Sequence, residues 1–293
     1  MRDEDMQQTR YSAPASIEEA VAIMAAANGA GRILAGGTDL LVQMRAGVVA
    51  PGAIVDVKRI AEMTTIVEEL GGFRIGAAVS AAVIGEHERL AQAWPGVVEA
   101  VNLIGSKQVQ GRASAGGNLC NASPAADSGP ALVAAGAMLT IQGPKGRRDL
   151  PVEKLHAGPG RTTLEPGELI VSIVLPPRPA RSGDAYLRLI PRTEMDIAVV
   201  GCGVSLAFEG DVCTSARVGL GAVAPTVLLV GDAASALIGS RLEPDAIARA
   251  AAACRAACRP IDDKRGTIAY RTKIAGVLLA RATAIAAQRA RSH

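Results

Sequence analysis

Ser114-Ala115-Gly116-Gly117-Asn118-Leu119-Cys120-Asn121-Ala122-Ser123-Pro124-Ala125-Ala126-Asp127, the core of a longer stretch beginning at Ile104, decides how this chain is read. It carries no periodic apolar face, so it reads as an irregular segment. Small residues and two glycines let the main chain come close to a ligand, and Ser114, Asn118, Asn121, Ser123 and Asp127 can bond backbone groups or ligand hydroxyls. An apolar, helix-like run from Pro130 to Ala137 follows. A loop feeding a helix start gathers N–H groups that suit an anion such as a pyrophosphate, although the same residues also fit a tight glycine-rich turn with an Asx cap.

A second segment has the same character: Arg32-Ile33-Leu34-Ala35-Gly36-Gly37-Thr38-Asp39-Leu40-Leu41. Ile33 and Leu34 read as the end of a short buried strand, Gly36 and Gly37 as a sharp turn, Thr38 or Asp39 as a cap, and Leu40 to Met44 as the start of a helix. Two such junctions could clamp one diphosphate from two sides. Neither has G-x-G-x-x-G spacing, and no Walker-type G-K-[ST] is present.

Ala35-Gly36-Gly37-Thr38-Asp39, the Lys107-Gln108-Val109 run leading into Ser114-Ala115-Gly116-Gly117-Asn118 with Ser123-Pro124 and Asp127, and Tyr270-Arg271-Thr272-Lys273 together resemble the FAD-binding subunit of molybdenum hydroxylases. That family includes the medium subunit of carbon monoxide dehydrogenase and the flavin domain of xanthine dehydrogenase. The resemblance runs over essentially the whole chain. It implies an α+β protein with a two-subdomain FAD-binding fold of the PCMH/vanillyl-alcohol-oxidase type over residues 1–177 (subdomains about 1–58 and 59–177). An α+β C-terminal domain, with an antiparallel sheet and helices, would follow over 183–293.

Composition is that of an ordinary globular protein and excludes other classes. The 293 residues are 49% hydrophobic, enough for a sizeable core and about two domains. With 31 basic and 28 acidic side chains interspersed and only 2% aromatics, nucleic acid finds neither an electrostatic footprint nor a stacking platform. No apolar run reaches the length of a membrane span, and the polar N-terminus through Arg10 is unlike a secretory signal, so the expected location is cytoplasmic. Cys120, Cys202, Cys213, Cys254 and Cys258 make an odd count without C-x-x-C or nearby histidines, which supports neither a disulfide framework nor zinc nor an iron–sulfur cluster on this chain. Cys254 and Cys258 read as small buried residues sharing a helix face. Cys120 reads as a packing residue or as a thiol beside a flavin.

Along the chain, Ser16 opens a helix with Ile17, Ala20, Val21 and Met24 on its apolar face, and strands at Arg32–Ala35 and Ile54–Val57 imply a small parallel sheet. Strands are expected at Thr65–Glu69, Phe73–Ala77, Met138–Gln142 and Leu169–Leu175, and one helix from Ser80 carrying Val83, Ile84, His87 and Leu90, with His87 on its surface. Pro176 to Gly183 reads as a linker. Beyond it come strands at Ala185–Ile190, Ala198–Phe208 and Val212–Val223. Helices follow at Asp232–Leu237, Pro244–Ala257 and Thr267–Arg289, the last with Ile274, Val277, Leu278 and Ala282 on its apolar face and Arg271, Lys273 and Arg281 off it.

The resemblance also implies roles. Ile33, Leu34, Ala35, Gly36, Gly37, Thr38, Asp39 and Leu40 would lie along the diphosphate and adenine, with Ser114, Ala115, Gly116, Gly117 and Asn118 completing the other wall and Asp127 binding the ribityl or nearby hydroxyls. Ile104 would face the flavin and the main chain at Ile170 would meet its edge. Arg188, where the family usually has lysine, would stabilise the reduced anionic flavin. The loop holding Arg192, Thr193, Glu194 and Asp196 would border the ring or stand as a solvated charged turn. Ile197 replaces a tyrosine of carbon monoxide dehydrogenases, which favours a xanthine dehydrogenase-like or general aromatic or aldehyde hydroxylase. Thr38 and Asp39 stand where related flavoenzymes carry a flavin-linked histidine, so FAD would be non-covalent. The molybdenum cofactor and [2Fe-2S] clusters would sit on a large and a small partner subunit, with NAD, oxygen or a quinone as external acceptor. The rival expectation is a self-contained FAD-dependent oxidase or reductase, for which Glu194 and Asp196 are the nearest acid–base candidates.

Overall fold

The computed structural model describes residues 9–292, so the polar opening stretch through Gln8, on which the reading of the N-terminus partly rested, and His293 lie outside the described residues. The first unit comprises β1 (Arg10–Ser12), α1 (Ile17–Ala26), β2 (Gly31–Leu34), α2 (Leu40–Arg45) and β3 (Ala53–Asp56). The three strands form a parallel sheet with β3 in the centre, and all four β3 residues are buried, as expected for a strand covered on both faces. Ser16 caps α1 by accepting a hydrogen bond from the Glu19 N–H, while the Glu19 carboxylate accepts one from the Ala15 N–H. This reciprocal cap fixes where α1 begins and turns Ile17, Ala20 and Val21 inward.

The second unit holds α3 (Ala61–Thr64), β4 (Ile66–Glu69), β5 (Gly72–Gly76), α4 (Ala81–Glu86), α5 (Glu88–Ala93), α6 (Pro95–Val101), α7 (Lys107–Gln110), α8 (Ala115–Cys120), α9 (Ser128–Ala135), β6 (Met138–Gly143), β7 (Gly146–Pro151), β8 (His156–Gly158), β9 (Arg161–Thr162) and β10 (Leu169–Leu175). Its sheet is antiparallel in the order β4-β5-β10-β6-β7, and the central β10 buries Val171, Ile173 and Leu175 completely. Both units share one apolar core.

The single helix expected from Ser80 to Leu90 is two helices. The chain breaks at His87, whose backbone is extended; its Nδ1 accepts the Leu90 N–H at 3.1 Å and its ring stands edge-on to Phe73 at 5.9 Å. His87 is thus a half-buried joint that caps α5, not a surface residue of a continuous helix. The irregular segment expected after Ser114 is likewise corrected: it forms the short helix α8, with Ser114 Oγ accepting the Gly117 N–H at 3.0 Å. The cap and the surrounding packing override the poor helix propensity of paired glycines.

The third unit contains β11 (Ser182–Leu189), β12 (Val200–Glu209), β13 (Val212–Gly221), β14 (Leu228–Leu229), α10 (Gly231–Leu237), α11 (Pro244–Ala257) and α12 (Ile268–Arg291). Its antiparallel sheet follows chain order, and β11 already includes Ser182 and Gly183, which the sequence places in the linker. Helix α9 of the second unit packs against β12 and β13, and all eight of its residues are buried. Cys202, Cys213, Cys254 and Cys258 lie in the core of the third unit; Cys258 stands just beyond α11, so it does not share a helix face with Cys254, and its thiol donates to the Cys254 carbonyl at 3.1 Å.

Arg271 is not on the outer face of α12. It is 3% exposed, and its guanidinium donates to the carbonyls of Val199, Ala222 and Gly266 and to Asp263. One planar fork thereby ties the start of β12 to the chain leaving β13, an arrangement a lysine ammonium does not reproduce. Arg271→Lys is expected to cost about 1–2 kcal/mol of unfolding free energy; an unchanged urea midpoint would contradict this role.

Candidate functional site

A cleft of about 660 Å³ opens between the first and second units, within the size range of small-molecule cofactor sites. One wall carries Ile33, Ala35, Gly36, Gly37, Thr38, Asp39 and Leu40; the facing wall carries Ser114, Gly116, Gly117 and Asn118. Ile104 and Ile170 supply buried apolar surface, at 8% and 3% exposure. Leu34 and Ala115 do not line the cleft. Leu34 supports the bend from beneath, its Cδ1 lying 2.9 Å from where a Gly37 side chain would begin, and Ala115 is packed into the core.

The two glycine-paired bends meet. A Cβ on Gly36 would overlap the Arg112 carbonyl and press on Ala113, immediately before Ser114. The absent side chain is what lets the β2–α2 bend seat on the approach to α8. Gly37 takes the left-handed conformation, at φ +76°, that the sharp turn requires. Gly117 differs: a Cβ there would meet only Ser114 Oγ, at 3.1 Å, which leaves that main chain open to a ligand.

Side chains behind the walls hold them in place. Lys58 Nζ donates to the Ala35 carbonyl at 3.0 Å and to Asp56 at 2.7 Å, and Tyr11 Oη donates to the same Asp56 at 2.8 Å. Burial works to raise the Asp56 carboxyl, but the bonds from Lys58 and Tyr11 and the Lys58 charge outweigh it and hold the group below its usual range. On the other wall, Asn118 Oδ1 accepts from Ser128 Oγ at 2.6 Å and from the Ser128 N–H at 3.3 Å, which leaves the Asn118 amide NH₂ as the group able to donate into the cleft. Gln110, 3% exposed, donates to the carbonyls of Asn102 and Ile104 and so fixes the turn that presents Ile104.

The sequence reading also assigned caps and contacts that the structure places differently. Neither Thr38 nor Asp39 caps α2 through its side chain. Asp39 opens into the cleft, where the surrounding protein pushes its carboxyl above the ordinary value. Asp127 and Arg188 do not line the cleft. Arg188 Nη1 donates to Asp127 at 2.7 Å and to the Leu103 carbonyl at 3.0 Å, and Tyr186 Oη donates to Asp127 at 2.9 Å, so the three side chains join the second unit to the third. Burial pushes the Asp127 carboxyl up to about 6, Arg188 opposing it. Arg192, Thr193, Glu194, Asp196 and Ile197 line no part of the cleft either; Asp196 accepts both Arg192 donors at 3.1 and 3.2 Å, and Arg192 holds its carboxyl down to about 2.

Further residues complete the lining. The run Leu164-Glu165-Pro166-Gly167-Glu168-Leu169 closes one side of the cleft, shaped by the bidentate Arg148–Glu168 pair at 2.7 Å and by Glu168 accepting the Glu165 N–H. Its Pro-Gly turn chemistry was the available signal. Gln43 lines the cleft from α2, and Cys120 and Asn121 line it from the end of α8. Cys120 is an exposed residue at the rim of the cleft, and the protein packed around its sulfur raises the thiol pKa. Among the described residues no group of three or more potential metal ligands occurs, and no helix is long and apolar enough to cross a membrane.

These residues fit an extended dinucleotide: open main chain at Gly117, hydroxyl and amide donors at Thr38, Ser114 and Asn118, and an apolar slot at Ile104 and Ile170. Comparison with known proteins agrees. Residues 6–178 match the FAD binding domain in molybdopterin dehydrogenase, and residues 185–286 match the CO dehydrogenase flavoprotein C-terminal domain. The chain belongs to the FAD-binding subunits of the molybdenum hydroxylase family and is an oxidoreductase subunit. It is 34% identical to the carbon monoxide dehydrogenase medium chain of Afipia carboxidovorans, over 96% of this chain and 98% of that one. It is 32% identical to the xanthine dehydrogenase FAD-binding subunit of Escherichia coli O157:H7, over 74% of each. The likeness therefore extends further along the carbon monoxide dehydrogenase chain, although Ile197 pointed toward the xanthine dehydrogenase type. Among solved structures, a Cu,Mo-CO dehydrogenase superposes with a TM-score of 0.92 at 34% identity, covering 96% of this chain and 98% of that one. Quinoline 2-oxidoreductase from Pseudomonas putida 86 superposes at 0.88 and 27%, with the same coverage.

Proposed function

We propose that this chain holds FAD non-covalently in the cleft and works as the electron-transferring subunit of a multi-subunit molybdenum hydroxylase. It takes electrons from the [2Fe-2S] clusters of a small partner, which draws them from a large molybdenum-cofactor subunit, and passes them to NAD, oxygen or a quinone. The observation that carries this reading is the seating of the Gly36 bend against Arg112 and Ala113, which makes one binding groove from two glycine-paired junctions. Bound there, FAD supplies a ring able to accept and release electrons. The chain's part is to bind and orient: Gly117, Ser114 and Asn118 offer contacts along the phosphates, while Ile104 and Ile170 keep water from the ring. No acid–base pair is required for that task. Of the two acid–base candidates of a self-contained oxidase, Glu194 and Asp196, neither lines the cleft and Asp196 is tied up by Arg192 and Arg265, which favours electron transfer over that rival.

Non-covalent binding is supported by the lining itself. It includes no histidine among the described residues, and the raised pKa of the Cys120 thiol favours its protonated form at neutral pH. Five free thiols fit a reducing cytoplasm. The purified full chain is expected to show flavin absorption, to release all of it as FAD on acid precipitation, and to be bleached by the reduced iron–sulfur partner but not by a hydroxylase substrate alone. Colour retained in the acid pellet, or bleaching by substrate without partners, would contradict the proposal.

A further inference from the structure

Helix α2 is the least anchored wall of the cleft. None of its six residues is buried, Leu41 and Val42 are 51% and 64% exposed, and no side chain caps its start. Left-handed glycines flank it, Gly37 at φ +76° and Gly47 at φ +69°, and nothing stands within 4 Å of the place a Gly47 side chain would occupy. Both ends thus have the backbone freedom of a hinge. The facing wall is firmer: α8 buries Ala115, Gly116 and Leu119, and the main chain of its closing residue Asn121 donates to the Gly117 carbonyl. One side-chain bond spans the gap. Gln43 Nε2 donates to Asn121 Oδ1 at 3.0 Å, across 78 residues of sequence, and both residues line the cleft.

We infer that Gln43 and Asn121 form a clasp that closes α2 over bound FAD, with Gly37 and Gly47 as its pivots, and that the clasp sets how slowly the cofactor leaves. The inference rests on the FAD reading above. A neutral amide pair suits the task because it opens at the modest cost of one hydrogen bond and leaves no charge stranded when it does. It acts on the open and closed forms of the cleft differently, so its effect falls on the dissociation rate.

The test uses the full chain loaded with FAD, with release followed as the rise of flavin fluorescence after dilution. Gln43→Met and Asn121→Ala are each expected to speed release roughly three- to tenfold. The double variant is expected to release FAD no faster than the quicker single one, because both substitutions remove the same bond. Release at the wild-type rate in both single variants overturns the clasp, and so do effects that multiply in the double variant, which would mean that each side chain touches FAD separately. A wild-type chain that takes up no FAD overturns the cofactor assignment and the clasp together, whereas a loaded chain with unaltered release in the variants overturns the clasp alone.

Discussion

Gly36→Val strips FAD from the chain, whereas Gly117→Ala retains most of it: that contrast is the expected result of placing side chains at the two glycine-paired bends. At Gly36 the new Cβ would collide with the Arg112 carbonyl and crowd Ala113, both of them main chain, so the collision is relieved only by moving the β2–α2 bend away from the approach to α8. Overpacking of this kind costs about 1–3 kcal/mol, and here the displaced backbone is the cofactor wall, so affinity is expected to fall by up to about 100-fold. At Gly117 the single added methyl meets only the Ser114 hydroxyl at 3.1 Å, a contact relieved by a few tenths of an ångström, and a loss of about tenfold or less is expected. Equilibrium titration of the apo chain with FAD reads both values. Because the third unit has its own core, far-UV circular dichroism of both variants should stay close to wild type. Retention of full FAD affinity by Gly36→Val would mean that the two bends do not form one site.

The contrast also shows what was legible from residues alone. Paired glycines announce that a main chain must pass close to something, and both bends were found on that ground. What each glycine approaches is a tertiary fact: Gly36 and Gly116 are small because protein backbone lies against them, and Gly117 because a ligand can. The strands were readable from apolar runs of the right length, as at Leu169–Leu175, and at Ile54–Val57 with bounds one residue later than the Ala53–Asp56 observed, since buried strands leave an unbroken signal. His87, Arg271 and Gln110 were misread or missed for a common reason. Each is a polar side chain whose partner is a distant or unpaired backbone group: the Leu90 N–H for His87, the carbonyls of Val199 and Ala222 for Arg271, the carbonyls of Asn102 and Ile104 for Gln110. Periodicity carries no trace of such bonds.

Asp127 and Arg188 were expected to touch the flavin, and their mutual bond leads to a different result. Arg188→Met is expected to destabilise the apo chain by about 3–5 kcal/mol near pH 7.5, because it leaves a carboxylate with 10% side-chain exposure facing only the Tyr186 hydroxyl. The penalty depends on pH in a defined direction. Burial raises the Asp127 pKa to about 6 in the folded chain, above the value of about 3.9 expected when unfolded. The folded state therefore binds more protons between those values, and the stability this group contributes is present at low pH and lost as pH rises through about 6. Arg188 opposes that rise, so its removal lifts the Asp127 pKa further and carries the loss to higher pH. At pH 5 the carboxyl of the variant is neutral, still able to accept the Tyr186 hydroxyl, and most of the penalty should be gone. Urea midpoints at pH 5 and pH 7.5 measure the difference, and Asp127→Asn added to Arg188→Met should recover stability at the higher pH. If instead the variant keeps its apo stability at both pH values but shifts the flavin reduction potential, Arg188 serves the cofactor directly and the bond to Asp127 is not what holds the two units together.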